Sequence, residues 1–181
     1  AWNSEQWEST NERAFEGESS LTDSPFSTYP ASSNATLTLK ESIDLREAKS
    51  ATLSYYASWE IEEDFDYAQV RISSNGIDYE PLCGLYTENG TSFQDNEQPV
   101  YDGSQSDWVM ESIALDDYIG EEVWIQFALI SDEIEQQDGF YIDQIEVEVQ
   151  NQITSALDHV NTLNGDDFQV VPNPFTLDFE V

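Results

Sequence analysis

The chain has 181 residues, and 38 acidic against 5 basic side chains give it a formal net charge of −33. Such a charge repels nucleic-acid phosphates, so we expect no nucleic-acid partner. No stretch approaches the roughly 18 apolar residues of a membrane span, so no membrane insertion is expected. One histidine and one cysteine cannot form a His-rich or Cys-rich zinc site within the chain. Aromatic residues make up 13%, which allows a hydrophobic core despite the acidity.

Short segments of alternating apolar and polar residues predict an all-β chain. Residues 36–40 alternate first, and residues 51–59 then place Leu53, Tyr55, Ala57 and Trp59 on one face. Residues 67–73 alternate with Ala68, Val70 and Ile72 inward. Further strands are predicted at 108–115, 122–131 and 140–149, with a hairpin at Asn75–Gly76 and a single helical turn before Gly120. Many short strands separated by Asn-Gly and Asp-Gly turns indicate a sandwich or barrel.

The chain divides into three parts. Residues 1–149 carry the strand pattern and are predicted to form one module. Residues 150–166 are polar and weakly patterned, which predicts a linker, and residues 167–181 resume strand-like alternation around two prolines. The chain begins without Met or a signal peptide, so we expect it to be a mature or excised part of a longer protein.

Catalysis within the chain is not expected. His159 lies in the predicted linker, whereas a catalytic base needs a rigid scaffold. Cys83 has no second cysteine and is interpreted as a half-buried, inert thiol. With 38 acids, close carboxylate pairs are unavoidable and are no argument for a glycosidase.

Acidic residues on apolar faces are more informative. In residues 140–149, Asp143 shares a face with Val147 and Val149, and Glu111 shares one with Ile113. A buried carboxylate is costly unless it is paired or binds a metal. Because basic partners are scarce, Ca²⁺ bound by carboxylates and carbonyls is one interpretation. Alternatively, Asp143 and Glu111 accept backbone or tyrosine hydrogen bonds or pair with Arg71. The candidate calcium ligands are Asp143, Glu111, Asp23 in LTDSP and Asp138 before a glycine.

Two further features leave alternatives open. Glu62 and Asp66 lie in a dense acidic segment between two predicted strands, which is either a solvated loop or a second cation site. Exposed tryptophan and tyrosine side chains could form a sugar-stacking platform, although residues such as Trp59 and Tyr55 are better interpreted as core.

Several motifs in order resemble one family. They are residues 20–25 (SLTDSP), 51–56 (ATLSYY), 66–70 (DYAQV), 73–76 (SSNG), 108–113 (WVMESI), 117–120 (DYIG) and 138–143 (DGFYID). Across residues 15–149 the chain resembles a MAM-like, immune inhibitor A-like jelly-roll module. Residues 81–87 (PLCGLYT) and 98–103 (QPVYDG) more specifically resemble the module that follows the catalytic domain in secreted zinc carboxypeptidases of Bacteroidetes. The resemblance implies an antiparallel two-sheet β-sandwich of jelly-roll type, with Asp23 and Asp143 as metal ligands.

The tail resembles a different element. Residues 168–175 (FQVVPNPF) are similar to the start of the C-terminal sorting domain of the type IX secretion system, here truncated. Together the resemblances imply a secreted or cell-surface, non-catalytic accessory module of a zinc metallopeptidase, stabilised by calcium. Its expected partners are the parent catalytic domain and a peptide or glycan, and we expect a monomer. The alternative is an adhesion or carbohydrate-binding module.

Overall fold

The computed structural model describes residues 2–151. Within that range the chain forms thirteen strands and one 3₁₀ turn at Asp116–Tyr118. None of the helical structure found there has the length and apolar character needed to cross a bilayer. The strands are β1 (Trp2–Glu5), β2 (Glu8–Thr10), β3 (Ser20–Thr22), β4 (Asn34–Leu39), β5 (Ile43–Asp44), β6 (Ala48–Glu60), β7 (Tyr67–Ser73), β8 (Glu80–Pro81), β9 (Glu88–Asn89), β10 (Pro99–Val100), β11 (Ser104–Ala114), β12 (Glu122–Ile130) and β13 (Gly139–Asn151).

The strands form two main sheets and one short ladder. The first sheet has the order β1-β4-β12-β7-β8 with β5 beside β12, and the second has the order β11-β6-β13-β3-β2. Strands β9 and β10 pair separately. Successive long strands alternate between the two sheets. Without the short strands β1, β2 and β5, one sheet has the order β3-β13-β6-β11 and the other has the order β4-β12-β7-β8. This is the jelly-roll arrangement. The predicted antiparallel two-sheet β-sandwich of jelly-roll type is confirmed.

The core lies between the facing sheets. The predicted inward face of β6 is buried as expected, with Leu53, Tyr55 and Ala57 each no more than 1% exposed. The inward residues of β7 are buried too, and Phe127 of β12 meets Tyr55 edge-to-face at a ring-centroid distance of 5.3 Å. Alternation with period two therefore predicted these faces correctly, because each strand of a sandwich buries one side.

A β-bulge in β13 changes which side chains face the core. Its pairing with β6 shifts between Asp143 and Glu146, and Gln144 between them has a φ of 50°. Ile142 is buried before the bulge and Val147 is buried after it. Since one extra residue reverses the orientation of all later side chains, the prediction that Asp143 shares the inward face with Val147 is wrong. Asp143 lies half-buried on the outer face.

Strand β13 continues to Asn151, so the first two residues of the predicted linker extend this strand. The remainder of the predicted linker and the sorting-domain start at residues 167–181 lie outside the described residues and stay predictions.

Candidate functional site

Glu111 on β11 is fully buried, as predicted, and its carboxylate has protein donors. Its Oε1 accepts hydrogen bonds from the Tyr86 amide at 2.8 Å and the Tyr101 hydroxyl at 2.9 Å. Its Oε2 accepts one from the Leu85 amide at 2.8 Å. A Cβ on Gly84 would lie 2.6 Å from both Glu111 Oε1 and Tyr101 Oη, so this close approach requires glycine. The hydrogen-bonded alternative for Glu111 is the one that the structure contains.

The loop that Glu111 holds forms one wall of a cleft of about 430 Å³. Leu85 and Tyr86 on that wall are 76% and 38% exposed. The lining combines apolar with acidic side chains, including Trp59, Leu85, Tyr86, Glu63, Glu88 and Asp102. This mixture favours a ligand that offers both an apolar face and hydrogen-bond donors or positive charge.

A second surface, which we call the aromatic patch, consists of Phe15, Tyr56 and Trp108 on the outer side of the second sheet. The Phe15 and Tyr56 rings stack at a centroid distance of 3.5 Å, and Trp108 meets Phe15 edge-on at 6.4 Å. Asp143 Oδ2 accepts hydrogen bonds from the amides of Phe15 at 2.8 Å and Glu16 at 3.1 Å, and so holds the backbone at Phe15 against β13. The outward position of Tyr56 follows from strand alternation, whereas Phe15 carries no strand signal.

Asp23 follows β3 and is 2% exposed. Its Oδ1 accepts a hydrogen bond from the Phe140 amide at 2.8 Å, while its buried Oδ2 has no hydrogen-bond partner. Burial raises the pKa of Asp23 to about 7, and the nearby charge of Asp138 acts in the same direction. The Ser24 hydroxyl donates to the Asp138 carbonyl, which ties the two segments together.

Asp138 already has a cationic partner. Its Oδ2 lies 2.6 Å from a guanidinium nitrogen of Arg13, and its Oδ1 accepts a hydrogen bond from the Tyr141 hydroxyl at 3.1 Å. Of the four predicted calcium ligands, the structure brings Asp23 and Asp138 together. Asp143 and Glu111 have separate hydrogen-bond partners, and the predicted four-residue ligand set stays a prediction.

Within residues 2–151, three acids do bring carboxylate oxygens within 4.8 Å of one another: Glu62, Asp66 and Asp132, which we call the acidic cluster. Glu62 follows β6, Asp66 precedes β7, and Asp132 follows β12. Strands β7 and β12 pair with Tyr67 opposite Ile130, so the residues just beyond this pair meet at one end of the sandwich.

Backbone contacts fix the acidic cluster but leave oxygens without donors. The Asp132 amide donates to Asp66 Oδ1 at 2.6 Å, and the Ile134 amide donates to Asp132 Oδ1 at 2.6 Å. Asp66 is 0% exposed, yet its Oδ2 and the Oε2 of Glu62 are buried without hydrogen-bond partners. Burial raises the pKa of Asp66, against the effects of the Asp132 amide and the nearby Tyr29 hydroxyl.

The pKa of Glu62 is also raised, first by burial and then by the neighbouring acids Asp66, Asp132 and Glu135. Glu62 and Asp66 were candidates from the sequence. Asp132 was missed, because the proximity of residues 66 positions apart depends on the pairing of β7 with β12.

Cys83, Arg71 and His159 were the other residues that the sequence singled out. Cys83 is exposed and free, so its interpretation as half-buried is wrong. Arg71 donates to Gln69 Oε1 at 2.7 Å, and the ion pairs of the described part of the chain do not include it. His159 lies outside the described residues.

Comparison with known proteins identifies a family and several relatives of this chain. A family model described as "Immune inhibitor A-like, MAM domain" matches residues 24–169. The pre-pro-metalloprotease PrtV of Vibrio cholerae serotype O1 is 30% identical over 99 residues, which is 55% of this chain and 10% of PrtV. Bacillopeptidase F of Bacillus subtilis is 32% identical over 91 residues, 50% of this chain and 5% of that protein. The aligned part is thus a small fraction of each relative.

Two solved structures have a similar course of the chain. The structure of TmCBM61 in complex with β-1,4-galactotriose has a TM-score of 0.48 at 11% identity, covering 81% of this chain and 86% of that one. The K1 cleaved adhesin domain of Lys-gingipain from Porphyromonas gingivalis W83 has a TM-score of 0.48 at 16% identity, covering 83% and 90%.

Proposed function

Because the chain belongs to the immune inhibitor A-like, MAM domain family, we propose that it is a non-catalytic accessory module of a secreted metallopeptidase. The observation that carries the proposal is the family match over residues 24–169, which includes β4 to β13. Two relatives that align with about half of this chain are a metalloprotease and a bacillopeptidase. The module stabilises the parent enzyme, supports its folding during export, or holds its substrate.

Deleting the module from the parent protein tests this role. We expect the truncated enzyme to have a shorter half-life at elevated temperature or a lower secreted yield, with an unchanged kcat/KM on a short peptide. The full-length protein carrying Glu111→Ala is a finer probe, because that change destabilises the module without removing it. Equal half-life, yield and activity on protein substrates with and without the module would exclude a supporting role.

The finer identity of the parent is also a proposal. Residues 81–87 and 98–103 support a zinc carboxypeptidase of Bacteroidetes, and residues 168–175 support export by the type IX system to the cell surface or medium. Mass spectrometry of peptides digested by the parent protein tests the first point. A carboxypeptidase releases single residues from the C-terminus, whereas internal cleavage would assign the module to an endopeptidase.

Calcium stabilisation of the module is the third part of the proposal. The buried Asp23 Oδ2 without a donor supports a cation beside Asp23 and Asp138. Thermal unfolding in EGTA and then in millimolar Ca²⁺, with Mg²⁺ at matched ionic strength as control, measures the effect. If Asp23→Asn keeps the full Ca²⁺-specific rise in Tm, Asp23 is not a ligand.

The aromatic patch favours one alternative, adhesion or carbohydrate binding. Its rings lie on an outer sheet face, with Phe15 42% exposed, and sugars stack on such rings. Glycan-array binding that is lost in Trp108→Ala and kept in Ile77→Ala would support this function. Ile77 is a suitable control because it is 80% exposed elsewhere on the surface. No binding to the array would leave the supporting role as the function.

A further inference from the structure

We propose that the acidic cluster of Glu62, Asp66 and Asp132 is a calcium-binding site that joins the β6–β7 loop to the β12–β13 loop. The site is separate from Asp23 and Asp138 and does not depend on the identity of the parent enzyme. Its three ligands come from two loops at one end of the sandwich.

The acidic cluster contains buried carboxylate oxygens without hydrogen-bond partners. Asp66 is 0% exposed and belongs to the cluster, and its Oδ2 accepts no hydrogen bond of ordinary geometry, although the Tyr29 hydroxyl lies nearby. Glu62 contributes a second buried oxygen without a partner. A buried carboxylate oxygen is stable when it is protonated, hydrogen-bonded or bound to a cation. Both residues belong to the same cluster, and a single cation bound there would satisfy both.

The ion pairs of the described residues do not include the carboxylates of the acidic cluster. Arg13 and Arg46 form the ion pairs found in residues 2–151, and neither contacts the cluster. The neighbouring acid Glu135 adds to the repulsion felt by Glu62. No ion pair within the described residues brings positive charge to the three clustered carboxylates, so a bound cation is what allows all three to be ionised together.

The chemistry of the cluster favours calcium as the bound ion. The donor set consists of oxygens, which hard divalent cations prefer. Calcium–oxygen distances are about 2.3–2.6 Å, so two ligands on one Ca²⁺ lie up to about 5 Å apart. The cluster oxygens lie within 4.8 Å of one another and so fit within the span of one Ca²⁺.

The backbone contacts favour a preformed site. The Asp132 amide holds Asp66 at 2.6 Å, and the Glu62 amide donates to the Tyr29 hydroxyl at 3.1 Å. The Asp132 carbonyl accepts a hydrogen bond from the Ser32 amide at 2.5 Å. Three chain segments are thus already in place around the carboxylates, and calcium stabilises this end of the sandwich by binding the folded state alone.

Isothermal titration calorimetry of the EGTA-stripped full chain with Ca²⁺ tests the proposal directly. We compare Asp66→Asn and Glu62→Gln, which keep side-chain size and remove charge, with Asp64→Asn as the matched control. Asp64 is exposed in the same loop and has the same charge. We expect Asp66→Asn and Glu62→Gln to weaken Ca²⁺ binding at least tenfold at one site, and Asp64→Asn and Asp23→Asn to leave that site intact.

Three results would overturn the proposal. The first is unchanged Ca²⁺ binding in both cluster variants, and the second is equal binding of Ca²⁺ and Mg²⁺ at matched ionic strength. The third is that Asp64→Asn weakens Ca²⁺ binding as much as the cluster variants do, which would indicate diffuse screening of the charge of −33. If Asp66→Asn fails to fold, the partly exposed Glu62→Gln decides alone. Loss of all Ca²⁺ binding in Asp23→Asn would instead assign the calcium to Asp23.

Discussion

Glu111 and the acidic cluster both place buried carboxylate oxygens in the sandwich, but these oxygens have different numbers of hydrogen-bond donors. Glu111 is fully buried, and two amides and a tyrosine hydroxyl donate to its carboxylate. Asp66 is equally buried, but one of its oxygens has no donor and two further acids lie beside it. Burial alone therefore does not identify a metal ligand. The number of donors around each oxygen separates a structural carboxylate from a candidate cation site.

The largest expected effect on the free energy of unfolding comes from Glu111, because both of its carboxylate oxygens accept hydrogen bonds. Glu111→Ala removes three hydrogen bonds to a charged group and releases the cleft loop, so we expect a loss of about 3 kcal/mol in the free energy of unfolding. Urea unfolding measures this loss, with Glu88→Ala at the exposed start of β9, just after that loop, as control. The loss should be the same in EGTA and in Ca²⁺. A loss confined to Ca²⁺-containing buffer would mean that Glu111 binds the ion after all.

Asp23 has an intermediate position, with one oxygen satisfied and one not. In the folded state its pKa is about 7, above the ordinary value of 3.8. Between these values the folded chain keeps a proton that the unfolded chain has lost, so stability falls as pH rises toward 7. Asp23 contributes at most about 1.4 kcal/mol per pH unit to the slope of the free energy of unfolding against pH. Asn at this position cannot titrate and keeps the acceptor for the Phe140 amide.

Unfolding of the wild type and Asp23→Asn in EGTA between pH 5 and pH 8 checks the sign. The free energy of unfolding of the wild type should fall, relative to that of the variant, up to pH 7 and then stay level. Parallel curves for the two proteins would show that the carboxyl of Asp23 is ionised throughout and has an unrecognised partner.

Asp143 should have the smallest effect. It is half-buried on the outer face, and Asn in its place still accepts from the Phe15 and Glu16 amides. We expect Asp143→Asn to cost about 0.5 kcal/mol and to leave Ca²⁺-dependent stabilisation unchanged. Thermal unfolding with and without Ca²⁺ measures both. If the variant abolishes the calcium effect, Asp143 is a calcium ligand, as the family resemblance implies.

The sequence was sufficient for the parts of the fold that depend on local periodicity. Alternation located the long strands and the buried faces of β6 and β7, because each strand buries one side. It failed at Asp143, since a single bulge residue reverses the later side chains and leaves no reliable signal in the sequence.

The candidate site was only partly predictable. Glu62 and Asp66 are close in sequence and stood out as an acidic segment. Asp132 joins them through the pairing of β12 with β7, which is a long-range contact. Donor counts around Glu111 and Asp66 depend on loops from elsewhere in the chain, so the sequence could name buried acids but could not tell which of them lack partners.

The unfolding free energy of the wild type and Asp66→Asn, each in EGTA and in excess Ca²⁺, tests the central contrast most directly. In EGTA the variant should be at least as stable as the wild type, because it loses a buried charge beside two other acids. In Ca²⁺ at a hundredfold excess over Kd, the wild type should gain about 2.7 kcal/mol and the variant should gain little. This reversal of the stability order is the predicted result. An equal gain in both proteins, or none in either, would contradict calcium binding by the acidic cluster.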